Sequence, residues 1–371
     1  MSLKVMHVEA GRHLYGGALQ VFYLMRELHV LGVENVLVCP QGSDIARESK
    51  SVATVCETPM KGDLDFTLSL RIKKLAKQHQ CDILHAHSRR GADVWTGFAA
   101  DFSSIPAVLT RRVDNPEAPW LAKFKVKKYQ KVTAISHGIR EVMLQAGVSP
   151  EKVTTIHSAV DQEKFRPEKS EKAFRKRFDL REEHPVIGVI AQLIERKGHR
   201  YLFDIAPRVL QKFPYLKILI FGKGPQKDAL ETQVKELGIS HAVSFVGFQA
   251  DMETIIPNLD LVVHPALMEG LGVSLLQASA CEVPIVAAAS GGIPEIVRDK
   301  ENGLLVPAAD SEALFDALTL LLEDKQMRED FGKCGRRIVE SEFSTKTMAQ
   351  AYVALYHSLL GGASDVPTPN A

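Results

Sequence analysis

The segment His264–Ala280, HPALMEGLGVSLLQASA, carries the residue types best suited to chemistry in this chain. The short apolar run Leu261, Val262, Val263 leads into a proline, an acid, glycines and then a helical pattern. That order describes a buried strand ending in a tight loop that opens a helix. A helix N-terminus exposes N–H groups and bears partial positive charge, so it seats an anion. Glu269, just before Gly270, Leu271 and Gly272, is a poor partner for the anion itself. It suits hydroxyls beside the anion, as on a sugar joined to a diphosphate. Taken alone, the segment also reads as a strand-to-helix turn with an incidental acid.

Other strand ends carry related features. Gly16 and Gly17 follow the first strand and precede a helix, and paired glycines allow close backbone approach to a phosphate. Their spacing does not match GxGxxG, so a dinucleotide fingerprint is not supported. In AQLIERKGHRYLF, Gln192 lies near a strand end, followed by Arg196, Lys197 and Gly198. Fixed cations there suit a diphosphate, and charge-assisted contacts contribute about 1.5–3 kcal/mol each; a solvated basic loop is the alternative. Gly222 in FGKGP, and Gly247 with Phe248 after VSFVGF, are further turns at which backbone meets a nucleotide or the chain only reverses. SGGIPEIV, residues 290–297, places a proline and Glu295 at a helix start. His85 and His87 alternate onto one face of DILHAHS, with His87 at the strand end where open α/β sheets bind ligands. Arg111, Arg112 and Asp114 end another strand; they read as an anion-holding pair or as a surface ion-pair cluster. The basic run 121–131, LAKFKVKKYQK, reads as a solvated face or as a surface for anionic lipid.

These residues need a scaffold, and the pattern supplies one. Apolar strand-like runs alternate with helical stretches throughout. They are LKVMHVEA, NVLVCP, DILHAHS, AVLTRR, KVTAIS and KVTTIHS, then PVIGVIAQ, KILIFG, VSFVGF, LVVHPA, PIVAAA and GLLVPA. Near-continuous apolar strands separated by helices imply parallel sheets covered on both faces, and two such successions imply two doubly wound α/β domains. Proline and charge interrupt the pattern at FRPEKS, residues 165–170. The expected division is residues 1–167 and 168–343, with an amphipathic helix over 344–360 completing the first domain and a disordered tail over 361–371.

The 371 residues are 45% hydrophobic and 25% charged, ordinary for a globular protein with two cores. A net charge of +1 gives no global attraction to nucleic acid. Five scattered cysteines without a CxxC pair argue for reduced thiols and against a zinc site. No apolar run reaches the ~18 residues that span a bilayer, and the N-terminus does not read as a signal peptide.

In order and spacing, HPALMEGLGVSLLQASA, RKGHRYLF, FGKGP and SGGIPEIVRDKENGLLVP resemble the retaining glycosyltransferases of family four (glycosyl transferases group 1), which have the GT-B fold of two Rossmann-like domains facing across a cleft. The resemblance spans nearly the whole chain and is strongest over residues 186–310. It implies that Glu269 contacts the donor sugar, Lys197 holds the donor diphosphate, Gly16 lies in a loop closing over phosphate, and His87 stands near the reacting centre. It also implies that the nucleotide lies mainly on the second domain and the acceptor mainly on the first. Two positions depart from the family pattern. Gln277 stands where a second glutamate contacts ribose hydroxyls, and Gln192 where an arginine helps hold the diphosphate. An amide keeps one acceptor but lacks the charge that roughly doubles such a bond. Arg196, beside Lys197, is the candidate to compensate.

The resulting expectation is a retaining, metal-independent transferase, with no cofactor, that moves a sugar from a nucleoside diphosphate donor to a hydroxyl acceptor. UDP is the favoured base carrier and GDP the next. Glu269 and His87 are the catalytic candidates. Gly16, Gly17, Gln192, Arg196, Lys197, Gly222, Gly247, Phe248, Gly270, Leu271, Gly272 and Gln277 are the donor-binding candidates, and Arg111 and Arg112 the acceptor candidates. The acceptor is unknown and suggested to be lipid-linked in the cell envelope, and the protein is expected in the cytoplasm, in peripheral contact with the inner face of an anionic membrane. A sugar-nucleotide epimerase and a silent sugar-nucleotide binder are the competing readings.

Overall fold

The structure, a computed structural model, describes residues 2–89 and 91–361. Apart from Gly361, the tail expected to be disordered lies outside the described residues. The chain forms two compact units, passing from the first to the second after Ala159 and returning to the first after Ser344. The crossing precedes the proline- and charge-marked break at residues 165–170. Val160 already donates to Phe343 O at 3.0 Å, and Phe165 is buried, so this stretch belongs to the second unit's packing.

The first unit is built on a seven-stranded parallel sheet in the order β3-β2-β1-β4-β5-β6-β7. Its strands are β1 (Lys4–Val8), β2 (Glu34–Pro40), β3 (Thr54–Thr58), β4 (Ile83–Ala86), β5 (Ala107–Arg111), β6 (Lys131–Ala134) and β7 (Val153–Thr155). Six of them coincide with the apolar runs. The additional one, β3, is an edge strand with only Thr58 buried. The continuous apolar pattern marks strands covered on both faces, and an edge strand escapes it.

The helix Gly17–Val30 buries Val21, Tyr23, Leu24, Met25 and Leu28. The last helix, Thr345–Leu359, inserts Met348, Tyr352 and Tyr356 into the same core, with Val5, Ile83 and Val108. Both tyrosines reach polar partners inside the sheet. Tyr352 Oη meets Thr110 Oγ1 at 2.9 Å and Thr133 Oγ1 at 3.0 Å, and Tyr356 Oη meets His85 Nδ1 at 2.6 Å.

The second unit holds a six-stranded parallel sheet in the order β10-β9-β8-β11-β12-β13. Its strands are β8 (Val186–Ile190), β9 (Lys217–Phe221), β10 (Val243–Gly247), β11 (Leu261–His264), β12 (Ile285–Ala288) and β13 (Gly303–Val306). All six match the apolar runs, and Leu202, Phe203, Ile218, Ile220, Leu261, Val263 and Leu318 lie in one core cluster.

Each sheet reverses its direction of growth once. The first winds outward from β1 to β3 and resumes at β4 on the other side of β1; the second does the same at β8 and β11. Loops leaving the carboxyl ends of two such strands turn to opposite faces and open a crevice, the customary ligand position in open α/β sheets. Glu9 and His87 follow β1 and β4, while Lys197 and Glu269 follow β8 and β11.

Tyr352→Ala is expected to lower the free energy of urea unfolding by about 3–5 kcal/mol, because it deletes a fully buried ring. Tyr352→Phe removes only the hydroxyl and should cost about 1 kcal/mol.

Candidate functional site

In the second unit, β8 runs through a bend into a short helical turn, Glu195–Lys197, and then the helix His199–Lys212. Gly198 between them adopts φ 67°, and a Cβ there would lie 1.9 Å from Pro265 O. Only glycine lets this loop reach the one after β11. Leu267 N donates to Arg196 O at 2.8 Å and tightens the contact. The loop after β12 closes from the other side. Gly292 N donates to Glu269 O at 3.1 Å, Ser290 Oγ donates to Ala266 O at 2.7 Å, and a Cβ on Gly291 would strike Glu269 O at 1.9 Å. The Glu269 backbone is therefore clamped by two neighbouring strand ends.

This clamp brings Lys197 and Glu269 together although 72 positions separate them. Lys197 Nζ donates to Glu269 Oε2 at 2.5 Å, His264 Nε2 donates to the same oxygen at 2.8 Å, and Gly270 N donates to Oε1 at 3.1 Å. The Lys197 and Glu269 side chains are 9% and 15% exposed. Burial raises the carboxyl pKa, but the His264 hydrogen bond and the charges of His264 and Lys197 outweigh it and bring Glu269 down to about 2. At neutral pH the site thus holds an ionised carboxylate beside the Lys197 side chain, at the opening of the helix Val273–Ala280. His199, also buried, is drawn down to about 4 by desolvation and by its neighbours His264 and Lys197.

The other donor candidates occupy the same carboxyl end of the sheet in varying degrees. Gly272 adopts φ 99° and caps the helix that carries half-buried Gln277. Gly270 and Leu271 are buried in the clamp. Gly222 follows β9, where a Cβ would strike Ala191 O at 1.9 Å, so it packs the loop holding exposed Gln192. Arg196 is half-buried, Gly247 ends β10 with φ 80°, and Phe248 after it is 54% exposed.

The first unit holds a separate cavity of about 350 Å³ at its own reversal point. Leu109, Ala122, Val126, Val142, Met143 and Ala146 give it an apolar floor, and Glu9, Gly17, His87, Asp93 and Arg112 give it polar walls. Gly17 is the first residue of its helix, and Gly16 adopts φ 54°. Four buried atoms on these walls have no hydrogen-bond partner among the described residues: Glu9 Oε2, His87 Nδ1, Asp93 Oδ1 and Arg112 Nε. Burial pushes the Glu9 carboxyl above the usual carboxylate range, against the Gly11 N–H and the Arg112 charge.

The two arginines separate here. All three Arg111 nitrogens hold the following loop, Nε on Val113 O at 3.0 Å, Nη2 on Asn115 O at 2.6 Å and Nη1 on Glu117 at 2.8 Å. Arg112 has a 3.3 Å contact to Ser158 Oγ and a bare Nε. The geometry therefore makes Arg111 a brace and sets Arg112 on the cavity wall with its Nε unpartnered among the described residues. Glu9, Asp93, His264 and His7 were not singled out by sequence. A signal existed for two of them, since Glu9 follows β1 as His87 follows β4, and His264 ends a strand five residues before Glu269.

Comparison with known proteins agrees with this architecture. The family described as Glycosyl transferases group 1 matches residues 170–338, and Glycosyltransferase Family 4 matches residues 15–164. The chain is 26% identical over 367 residues to the lipopolysaccharide core biosynthesis glycosyltransferase LpsE of Rhizobium meliloti, covering 96% of this chain and 99% of that one. It is 33% identical over 215 residues to a GDP-mannose-dependent monoacylated alpha-(1-6)-phosphatidylinositol monomannoside mannosyltransferase of Corynebacterium glutamicum, 55% of each chain. Its fold is similar to the crystal structure of Anabaena Alr3699/HepE in complex with UDP and glucose. That match has a TM-score of 0.84 at 20% identity and covers 96% of this chain and 100% of that one. The protein is a glycosyltransferase of the GT-B fold and belongs to the glycosyl transferases of group 1.

Because Glu269 titrates near 2 when folded and about 4.5 when unfolded, its ionisation stabilises the fold above pH 4.5, by on the order of 3 kcal/mol, and this is lost as pH falls towards 2. Glu269→Gln should therefore be clearly less stable than the parent protein at pH 6, and the gap should narrow steadily on acidification in urea titrations between pH 6 and pH 2.

Proposed function

We propose that this protein is a retaining, metal-independent transferase that carries a sugar from a nucleoside diphosphate donor, UDP-linked first and GDP-linked next, to a hydroxyl acceptor of the cell envelope. The observation that carries the reading is the buried Lys197–Glu269–His264 group at the β8/β11 reversal. A diphosphate leaving group gains negative charge as the glycosidic bond breaks, and a fixed ammonium with helix-terminal N–H groups stabilises that charge. Lys197 takes this role, with Arg196 beside it in the absence of an arginine at Gln192. Glu269, ionised at any working pH, accepts hydrogen bonds from the donor sugar's hydroxyls. Gln277 offers an amide to the ribose, and Gly247 with Phe248 lies towards the base. The leaving phosphate takes the acceptor's proton, and the sugar keeps its anomeric configuration.

The acceptor reading rests on the first unit. Its cavity joins an apolar floor to Arg112 and to oxygen and nitrogen acceptors, which suits a hydroxyl compound with an anionic or lipid portion. An epimerase has no need of such a second site. The named activities of the relatives, lipopolysaccharide core synthesis and phosphatidylinositol mannoside synthesis, support an envelope acceptor. The UDP and glucose named with the Anabaena structure support the donor class.

No helix among the described residues is long and apolar enough to cross a membrane. The helix Pro119–Lys127 nevertheless exposes Trp120 (72%) and Phe124 (46%) beside exposed Lys123 and Lys127. We assign it to peripheral contact with anionic lipid, where an aromatic anchor and basic charge act together.

Incubation with UDP- and GDP-sugars and envelope acceptors, with and without EDTA, tests the assignment. Transfer should occur with EDTA present, and Glu269→Ala should reduce kcat at least 100-fold while nucleoside diphosphates still raise the melting temperature. An isomeric sugar nucleotide formed without acceptor would overturn transfer in favour of epimerisation. In flotation assays, Trp120→Ala/Phe124→Ala should lose binding to vesicles rich in phosphatidylglycerol, and parent protein that fails to bind them would remove the membrane reading.

A further inference from the structure

Three imidazoles, His7, His85 and His87, lie together at the β1/β4 reversal, at most 2% exposed. Among the described residues, one of their six nitrogens lacks a partner. His85 Nδ1 meets Tyr356 Oη at 2.6 Å and its Nε2 meets Thr110 Oγ1 at 2.7 Å, so that ring is tied into the sheet. His7 bridges Asn35 and His87, with its Nε2 3.2 Å from Asn35 Oδ1 and its Nδ1 2.9 Å from His87 Nε2. His87 Nδ1 is buried and unpartnered, and His87 lines the 350 Å³ cavity.

The direction of this chain follows from its far end. Asn35 Nδ2 donates to two backbone carbonyls, Met25 O at 2.9 Å and Val52 O at 3.1 Å, which settles which end of the amide is nitrogen. Asn35 Oδ1 can then only accept, so the proton between it and His7 belongs to His7 Nε2. Burial, only partly offset by the Asn35 bond, brings the His7 pKa down to about 4, and a neutral ring has one N–H. His7 Nδ1 is therefore a lone pair, and the proton in the next contact sits on His87 Nε2. Burial first, then His85, His7 and Arg112, hold His87 well below its ordinary range, so it too is neutral. Its single proton is on Nε2, and Nδ1 carries a lone pair.

We infer that Asn35 and His7 are positioning residues that lock His87 in the Nε2–H tautomer and make its Nδ1 an obligate hydrogen-bond acceptor for a ligand hydroxyl in the first unit's cavity. A phosphate or carboxylate oxygen would meet lone pair with lone pair there and is rejected. Asp93 Oδ1, also unpartnered on the cavity wall, makes the same demand for a donor. His87 thus does not protonate anything in its resting form; it orients a hydroxyl and discriminates against its oxidised or phosphorylated counterpart. That the hydroxyl belongs to a sugar or to its acceptor rests on the glycosyltransferase reading, whereas the tautomer does not.

Long-range 15N–1H correlation spectra of 15N-histidine-labelled protein without substrate test the tautomer, with His87→Gln supplying the assignment. The parent protein should show His87 neutral and protonated at Nε2 between pH 5.5 and pH 8. His7→Gln retains a side-chain oxygen to accept from His87 and should preserve that pattern, while His7→Leu and Asn35→Leu should yield a tautomer mixture. His87 found cationic or protonated at Nδ1 in the parent protein overturns the proposal, as does an unchanged pattern in a folded His7→Leu protein. In transfer assays, His7→Leu should lower kcat/KM about 10- to 100-fold, equivalent to about 1.4–2.7 kcal/mol, and His7→Gln should restore most of it. Undiminished transfer by His7→Leu alongside a mixed tautomer would overturn the ligand role. Complete inactivity of the parent protein with an intact Nε2–H pattern would overturn the glycosyltransferase reading instead.

Discussion

The reversal of winding in each parallel sheet is the constraint on which the rest depends. A loop leaving a strand between two like-turning crossovers is packed under its neighbours, but at a reversal two adjacent loops part and leave strand-end backbone accessible. Both clusters of chemically capable side chains stand at such points. Lys197 and Glu269 follow β8 and β11, and Glu9 and His87 follow β1 and β4. Glycines serve this arrangement where loops must touch. Gly198 and Gly291 permit contacts that any Cβ would obstruct, and Glu269 is held between them.

The two clusters handle charge differently. In the second unit, a buried ammonium and carboxylate compensate each other, with His264 and a backbone N–H completing the shell. Separating such a pair is costly unless another charged partner replaces it. In the proposed function a diphosphate supplies the replacement anion for Lys197, while Glu269 keeps its His264 bond and gains sugar hydroxyls as donors. In the first unit, the polar atoms are left unmatched at the cavity wall, a state that structures tolerate where water or ligand completes them. One cluster is thus neutralised in advance, and the other is built around missing partners.

Much of the scaffold was legible. Twelve apolar runs correspond to twelve of the thirteen strands among the described residues, and the amphipathic spacing of Met348, Tyr352 and Tyr356 marks the helix that inserts into the first unit's core. β3 was not legible because an edge strand with polar faces lacks the continuous apolar run. The break near residues 165–170 was read from local composition, whereas the crossing at Ala159 follows long-range packing of Val160 on Phe343. Among candidate site residues, Glu269, Lys197 and the glycines stood out because an acid, a cation and Gly-rich turns follow apolar strand runs and precede helices. Arg111 and Arg112 could not be told apart, since neighbouring identical side chains differ only in what the fold sets beside them.

The linear order of residues was sufficient for alternation of strand and helix, the two-unit plan and the residue types placed at each strand end. These depend on short-range periodicity and on backbone conformations that a few neighbours impose. Tertiary structure alone decided which strand ends adjoin. It therefore decided that Lys197 meets Glu269 and that the Glu269 carboxyl falls to about 2. It also decided that an amide on β2 orients a ring on β1 and, through it, His87 after β4. Desolvation and hydrogen-bond direction depend on everything packed around a group, and that is set by strand order and burial across the whole sheet.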